Sequence, residues 1–166
     1  MRAMILVLAA LTLAVCAQPP TQELGIAADR IAAAETADAD LFGPERLAEA
    51  RETLRQAEVL TEETRRYREA IRLTGEAVAH ADAAFLEAMA EKRVVSQRIE
   101  RSLRELEGLI AIAESRGAAR EQVLPLRARL QAIEDIAHAG DLLTALDRAV
   151  ALEPEVLAFE QRFRKK

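Results

Sequence analysis

Tryptophan is absent from this chain of 166 residues, tyrosine occurs once and phenylalanine four times. So few aromatic rings argue against base-stacking platforms and against most small-ligand pockets, which are commonly walled with them. Histidine occurs twice and cysteine once, so metal ligands and strong nucleophiles are scarce. No Gly-rich phosphate loop is present, and no serine stands at a strand-to-helix elbow. A basic face is missing too. The whole chain carries a formal net charge of −5. Residues 18–96 hold 16 acidic and 10 basic side chains, and residues 97–166 hold 12 of each. That is no footprint for nucleic acid.

The chain has one long apolar run, residues 3–15, "AMILVLAALTLAV", interrupted only by Thr12. It is too short to cross a bilayer core as a helix, which takes about 20 residues. Behind Met1-Arg2 it fits the h-region of a secretory signal. The only cysteine, Cys16, stands at its end, and two cleavages compete. Val15-Cys16-Ala17 fits the small-x-small rule and would leave Gln18 as the first residue. Alternatively, "LAVC" (13–16) resembles a bacterial lipobox, although Val15 departs from the Gly, Ala or Ser that pattern calls for. The resemblance implies lipidation at Cys16. It is the favoured reading, because a free exposed cysteine is awkward in an oxidising compartment. The polar, proline-containing "AQPPTQE" that follows also suits a tether. The expected address is the periplasmic side of the cell envelope, anchored to the outer membrane. The alternative is a soluble periplasmic protein cleaved after Ala17. Either way the mature body has no disulfide and must fold on its apolar core.

About one residue in five is alanine, and Leu, Glu and Arg are abundant, a composition that favours long helices. From Tyr67, steps of four and three trace Ile71, Thr74, Val78, Ala81, Phe85, Ala88, Lys92, Val95, Ile99, Ser102, Leu106, Leu109 and Ala113. Only Lys92 and Ser102 clearly break the stripe. A seam this long predicts helix packed on helix over about 70 Å, with Gly75 and Gly108 the places to bend. Leu24, Ala27, Ile31 and Ala34 share a face of an earlier helix. Leu47, Ala50, Leu54 and Ala57 do so after Gly43-Pro44, with Pro44 in the first turn. Val123, Leu126, Leu130, Ile133 and Ala137 run up to a stop at Gly140. The last stripe is Leu142, Ala145, Ala149, Leu152, Val156, Phe159 and Phe163, where Pro154 predicts a kink or restart. Five main helices and no strands are expected.

"IAAAE" (31–35) also matches "IAIAE" (110–114), "RETLRQA" (51–57) lines up with "RARLQAI" (127–133), and "YREAI" (67–71) with "LLTAL" (142–146). This internal repeat predicts an all-α, elongated helical bundle in which two three-helix units share one long central helix. The expected divisions are a signal peptide at 1–15, a tether at 16–21, an N-terminal unit at 22–95 and a C-terminal unit at 96–166.

"YREAIRLTGEA" (67–77) and "GDLLTALDRAVALEP" (140–154) resemble the second helix of tetratricopeptide repeats, without the Trp and Gly of the first helix. The likeness implies similar helix-hairpin packing. "IAADRIAAAE", "GPERLAEARETLRQAE" and "REAIRLTGEAVAHADAA" resemble the successive helices of a family of alanine-rich bacterial lipoproteins defined only by a domain of unknown function. Some members of that family continue into a peptidoglycan-binding OmpA-like domain; nothing after residue 96 resembles one. The resemblance implies an envelope lipoprotein and brings no catalytic residues.

Chemistry-bearing residues are few. His80 has Glu76 four positions before it, Asp82 two after and Glu87 seven after, and reads as a surface histidine on an acidic helix. His138, two before Gly140, suits a helix C-terminus. Ser96, Ser102 and Ser115 lie in helical pattern. Glu62-Glu63 and Glu134-Asp135 read as surface or turn charges. The basic tail "RFRKK" (162–166) suits a helix end first and contact with anionic lipid or cell-wall polymer second. No catalytic, metal or cofactor residue is assigned, and no small-molecule substrate is expected. The leading expectation is a non-enzymatic lipoprotein that docks envelope proteins as a helical scaffold or adaptor. A lipid- or surface-binding amphipathic module is the alternative, and a metal carrier or enzyme at His80 stands last.

Overall fold

The computed structural model describes residues 18–164. Among these the chain is all-α, with no strand. Six helices follow in order: α1 Thr21–Thr36, α2 Ala39–Phe42, α3 Pro44–Glu62, α4 Tyr67–Ser115, α5 Arg120–His138 and α6 Leu142–Arg164. Five of them match the expected helices, and α2 is a single turn in the first connection. The signal-peptide and lipidation readings fall on residues outside the described ones.

The helix ends have local causes. Pro44 occupies the first turn of α3, where its missing N–H costs nothing. Gly117 and Gly140 end α4 and α5 with φ of 97° and 93°. In each case the next amide reaches back to a helix carbonyl, Ala118 N–H to Ala113 O and Asp141 N–H to Ile136 O. This is the Schellman closure, and it asks for a residue without a Cβ. Asp141 then caps α6 by accepting the Thr144 N–H at 3.2 Å.

Helix α4 is continuous over 49 residues and passes through Gly75 and Gly108. Helix α6 likewise continues through Pro154 without a restart. The amide that Pro154 lacks would have met the carbonyl of Val150, a residue 50% exposed, so water can satisfy that oxygen.

The chain forms two compact units, one up to Met89 and one from Ala90. In unit 1, α1, α3 and the first part of α4 surround a core built on small residues. Ile31, Leu47 and Leu54 are its large buried members; Ala27, Ala34, Ala39, Ala50, Ala77, Ala81, Ala84 and Ala88 are the small ones, and Leu24, Phe42 and Val78 pack against them half-buried. The seven residues 37–43 turn the chain back, so α1 and α3 pack as antiparallel neighbours. Helix α4 runs antiparallel to α3 in turn: Glu49 meets His80, and Gly43, earlier in α3's direction, lies against Ala84. A Cβ on Gly43 would sit 3.1 Å from the Ala84 carbonyl oxygen, so glycine is what permits this approach.

Unit 2 packs the rest of α4 with α5 and α6 around larger side chains: Ile99, Leu106, Ile110, Val123, Leu130, Ile133, Leu152, Val156 and Phe159. Phe159 and Phe163 add a tilted ring pair with centroids 5.2 Å apart.

The α4 stripe needs correction. Thr74, Ala81, Ala88, Ile99, Leu106 and Ala113 are buried as expected. Ile71 and Phe85 are not, at 45% and 38% exposure. Their place in unit 1 is taken by Ala70, Ala77 and Ala84, each fully buried. Stepping by a strict 3.5 residues drifts about 20° per heptad against a 3.6-residue helix, so no such stripe holds one column over this length. Close approach of alanine-faced helices then selects the small column over the large one.

Candidate interaction surface

Cys16 lies outside the described residues, so its lipidation remains a reading of the sequence. The described chain starts at Gln18, and Pro20 directly precedes α1.

His80 does not meet the carboxylates nearest to it in sequence. Its Nδ1 lies 3.1 Å from Oε2 of Glu49, across the α3–α4 contact. Glu76 instead accepts from Arg72 at 2.5 Å, and Asp82 pairs with Arg30 of α1 at 3.7 Å. Glu76 and Asp82 are each matched to an arginine, and Glu49, whose Oε2 also accepts from Arg46 at 2.9 Å, ties His80 of α4 to α3. His138 is exposed in the last turn of α5, where a cation suits the helix terminus. The serines do nothing unusual: Ser115 donates to the Ile112 carbonyl at 2.8 Å, and Ser96 and Ser102 are half-buried on α4. Glu62, Glu63, Glu134 and Asp135 are exposed, with Gln131 donating to Asp135 at 3.1 Å. Arg162 and Arg164 stand in the last turn of α6; the final two lysines lie outside the described residues. Among the described residues no three His, Cys, Asp or Glu groups gather to hold a metal ion.

A concave groove lies in unit 2, between α4 and α5. This groove of about 630 Å³ has an apolar floor of Ile99, Leu103, Leu130 and Ala137. Charged side chains rim it, with Glu100, Arg104 and Glu107 on α4 and Arg127 and Glu134 on α5. Arg127 bridges both helices by meeting Glu107 at 3.0 Å and Glu114 at 2.8 Å. Ile99 and Leu130 belong to the core, so the floor is the outer edge of the packed interior. Floors of this kind, with charged rims, suit an added amphipathic helix better than a small polar substrate.

Two further features were not singled out in the sequence. On α6, Leu143, Val150 and Leu157 stand seven residues apart and are 41%, 50% and 38% exposed. They form a second apolar row, outside the Ala145–Phe159 row that faces the core. At the start of α4, Arg65, Arg66, Arg68 and Arg72 surround Tyr67. The signal for both was present: a heptad of Leu and Val in the first case and "RRYR" in the second.

The electrostatics are those of a solvated helical surface. Glu52 is held far below its ordinary value of 4.5, at about 2. The hydrogen bond from Arg55 is the largest cause and that from Gln56 the next. Arg55 in turn is pushed up by Glu52. Both are exposed and form an i,i+3 pair along α3.

No family model, curated protein or solved structure matches this chain.

Proposed function

We propose that this chain is a non-enzymatic cell-envelope lipoprotein, tethered through Cys16, whose helical units serve as a scaffold or adaptor for protein partners. The observation that carries the reading is where the chemistry-bearing side chains stand. His80 is engaged with Glu49, His138 sits exposed at a helix end, and the serines bond helix backbone or lie half-buried on it. Catalysis calls for convergent groups in a water-excluding cleft. What this surface offers instead is the charged-rimmed α4–α5 groove and long faces of alternating acids and arginines. Such faces recognise partners by charge pattern and register. The resemblance to alanine-rich envelope lipoproteins points the same way.

Photo-crosslinking in intact cells tests this. A crosslinker placed at Arg104 or Gln131 on the groove should give a discrete adduct, and one at Asp29 on α1 should not give the same species. Absence of any adduct from the groove would remove it as the docking face.

A second reading, a lipid- or surface-binding amphipathic module, draws support from the Leu143–Val150–Leu157 row. An exposed apolar row at helical spacing is what such a module would lay on a membrane. The row is narrow, however, and most of the apolar side chains of α6 lie in the core of unit 2.

A further inference from the structure

Unit 1 is acidic: residues 18–89 hold 15 acidic and 8 basic side chains. Half of those bases, Arg65, Arg66, Arg68 and Arg72, fall within eight residues at the start of α4. They line a shallow surface hollow of about 810 Å³ together with Tyr67 and Glu69. Glu69, the one acid of the lining, is held by Arg66 at 2.5 Å, and Arg72 is engaged by Glu76. Arg65 and Arg68 are exposed. Arg65 adopts the left-handed conformation, φ 53°, in the connection between α3 and α4. Glu62 and Glu63, exposed at the end of α3, are the nearest acids in sequence outside the lining.

The place of this cluster matters. Helices α1, α3 and α4 alternate in direction, so the start of α1, the end of α3 and the start of α4 share one end of unit 1. The arginines are at that end, and so is Thr21, the first residue of α1. Cys16 precedes Thr21 by five positions, and five residues span at most about 18 Å when fully extended. A lipid on Cys16 would therefore hold this end of unit 1 within about 18 Å of the bilayer.

We propose that the Arg65–Arg72 cluster is a docking surface for the phosphate-bearing headgroups of an anionic bilayer. The proposal rests on the tethered reading of Cys16 for its orientation and on the arginines for its chemistry. Guanidinium groups match phosphate oxygens in a bidentate fork. Tyrosine at the same level suits the interface between headgroups and water. Cations near a negatively charged membrane gain most within a Debye length of it, about 8–10 Å, a separation that lies inside the reach of a tether of about 18 Å.

The test uses the full-length Cys16→Ala chain, which carries no lipid, so its outcome is independent of whether the native cysteine is acylated. Co-sedimentation is measured with vesicles of 30% phosphatidylglycerol in phosphatidylcholine and with vesicles of phosphatidylcholine alone. Any binding through the apolar N-terminal run would be common to both, so the readout is their ratio. The expected result is a preference of at least about tenfold for the anionic vesicles, weakening as salt is raised. It should be lost in R65Q/R66Q/R68Q/R72Q and reduced in R65Q/R68Q, which leaves both ion pairs in place. A control of equal charge change, R98Q/R101Q/R104Q/R120Q, should retain it. Circular dichroism confirms that each variant stays helical. Equal binding to both vesicles, or equal loss in the control, overturns the proposal. So does saturable binding of inorganic phosphate without vesicle preference, which would make the cluster a free-anion site.

Discussion

Arg116, in the turn after α4, donates to Glu160 near the end of α6, across 44 positions of chain. The Glu160 side chain is only 10% exposed, while Arg116 keeps 40% of its surface in water. One buried carboxylate is thus neutralised from the rim of unit 2, and the contact fixes where α6 lies against the α4–α5 turn. Arg116→Ala should cost about 2 kcal/mol, because it leaves a charged group buried and unpaired. Adding Glu160→Leu should recover much of that loss. A double-mutant cycle by urea unfolding measures both; equal, additive losses would mean the pair does no coupling.

The alanine seam of unit 1 makes an asymmetric prediction. Ala81→Leu and Ala84→Leu force extra methylenes between closely packed helices and should cost about 1–3 kcal/mol each. Phe85→Ala and Ile71→Ala, at half-exposed positions, should cost less than either. Leu54→Asp and Leu130→Asp should each unfold the unit that holds them, since a buried unpaired charge is among the most costly substitutions. Thermal unfolding of the set ranks these directly.

Much of this architecture could be read from residue spacing. The five long helices, the Pro44 start, the Gly140 stop and the faces of α1, α3 and α5 all follow from apolar periodicity and helix punctuation. The α4 seam is legible only in part, because in an alanine-rich helix the small residues that pack look the same as those that face water. Only the neighbouring helices distinguish Ala70, Ala77 and Ala84 from exposed Ala79 and Ala90. The His80–Glu49 contact was invisible for a different reason. It depends on how far α3 slides along α4, which Gly43 and its close approach to Ala84 help to set.

Gly117 and Gly140 hold backbone conformations that a Cβ opposes, though open space surrounds both. Gly117→Ala and Gly140→Ala should each cost about 1–2 kcal/mol through backbone strain alone. Gly75→Ala and Gly108→Ala, inside α4 and also in open space, should stabilise by about 1 kcal/mol. Opposite signs for the two pairs in denaturant melts are the check.

Glu52 gives a pH signature. Its carboxyl is depressed in the folded chain, so its contribution to stability is fully present above the unfolded value near 4.5. That contribution is lost as pH falls through the folded value, about 2. A carbon-detected titration of Glu52 should give a midpoint well below the ordinary 4.5. Arg55→Gln should move it up toward 4.5, and added salt should do so partly.

If function resides in a tethered surface, the histidines are dispensable. His80→Ala with His138→Ala should leave the cellular phenotype intact, while Cys16→Ala or charge reversal along one exposed face of unit 1 should impair it. Loss of function in a folded histidine double mutant would favour a metal-binding or catalytic role.

The tether is the claim on which the proposed role most depends, and intact-mass spectrometry of the protein recovered from its native cells tests it most directly. The account predicts recovery with the envelope fraction and a chain that begins at Cys16 with a lipid-sized mass added to it. A chain that begins at unmodified Gln18, or that retains Met1 in the soluble fraction, would contradict it.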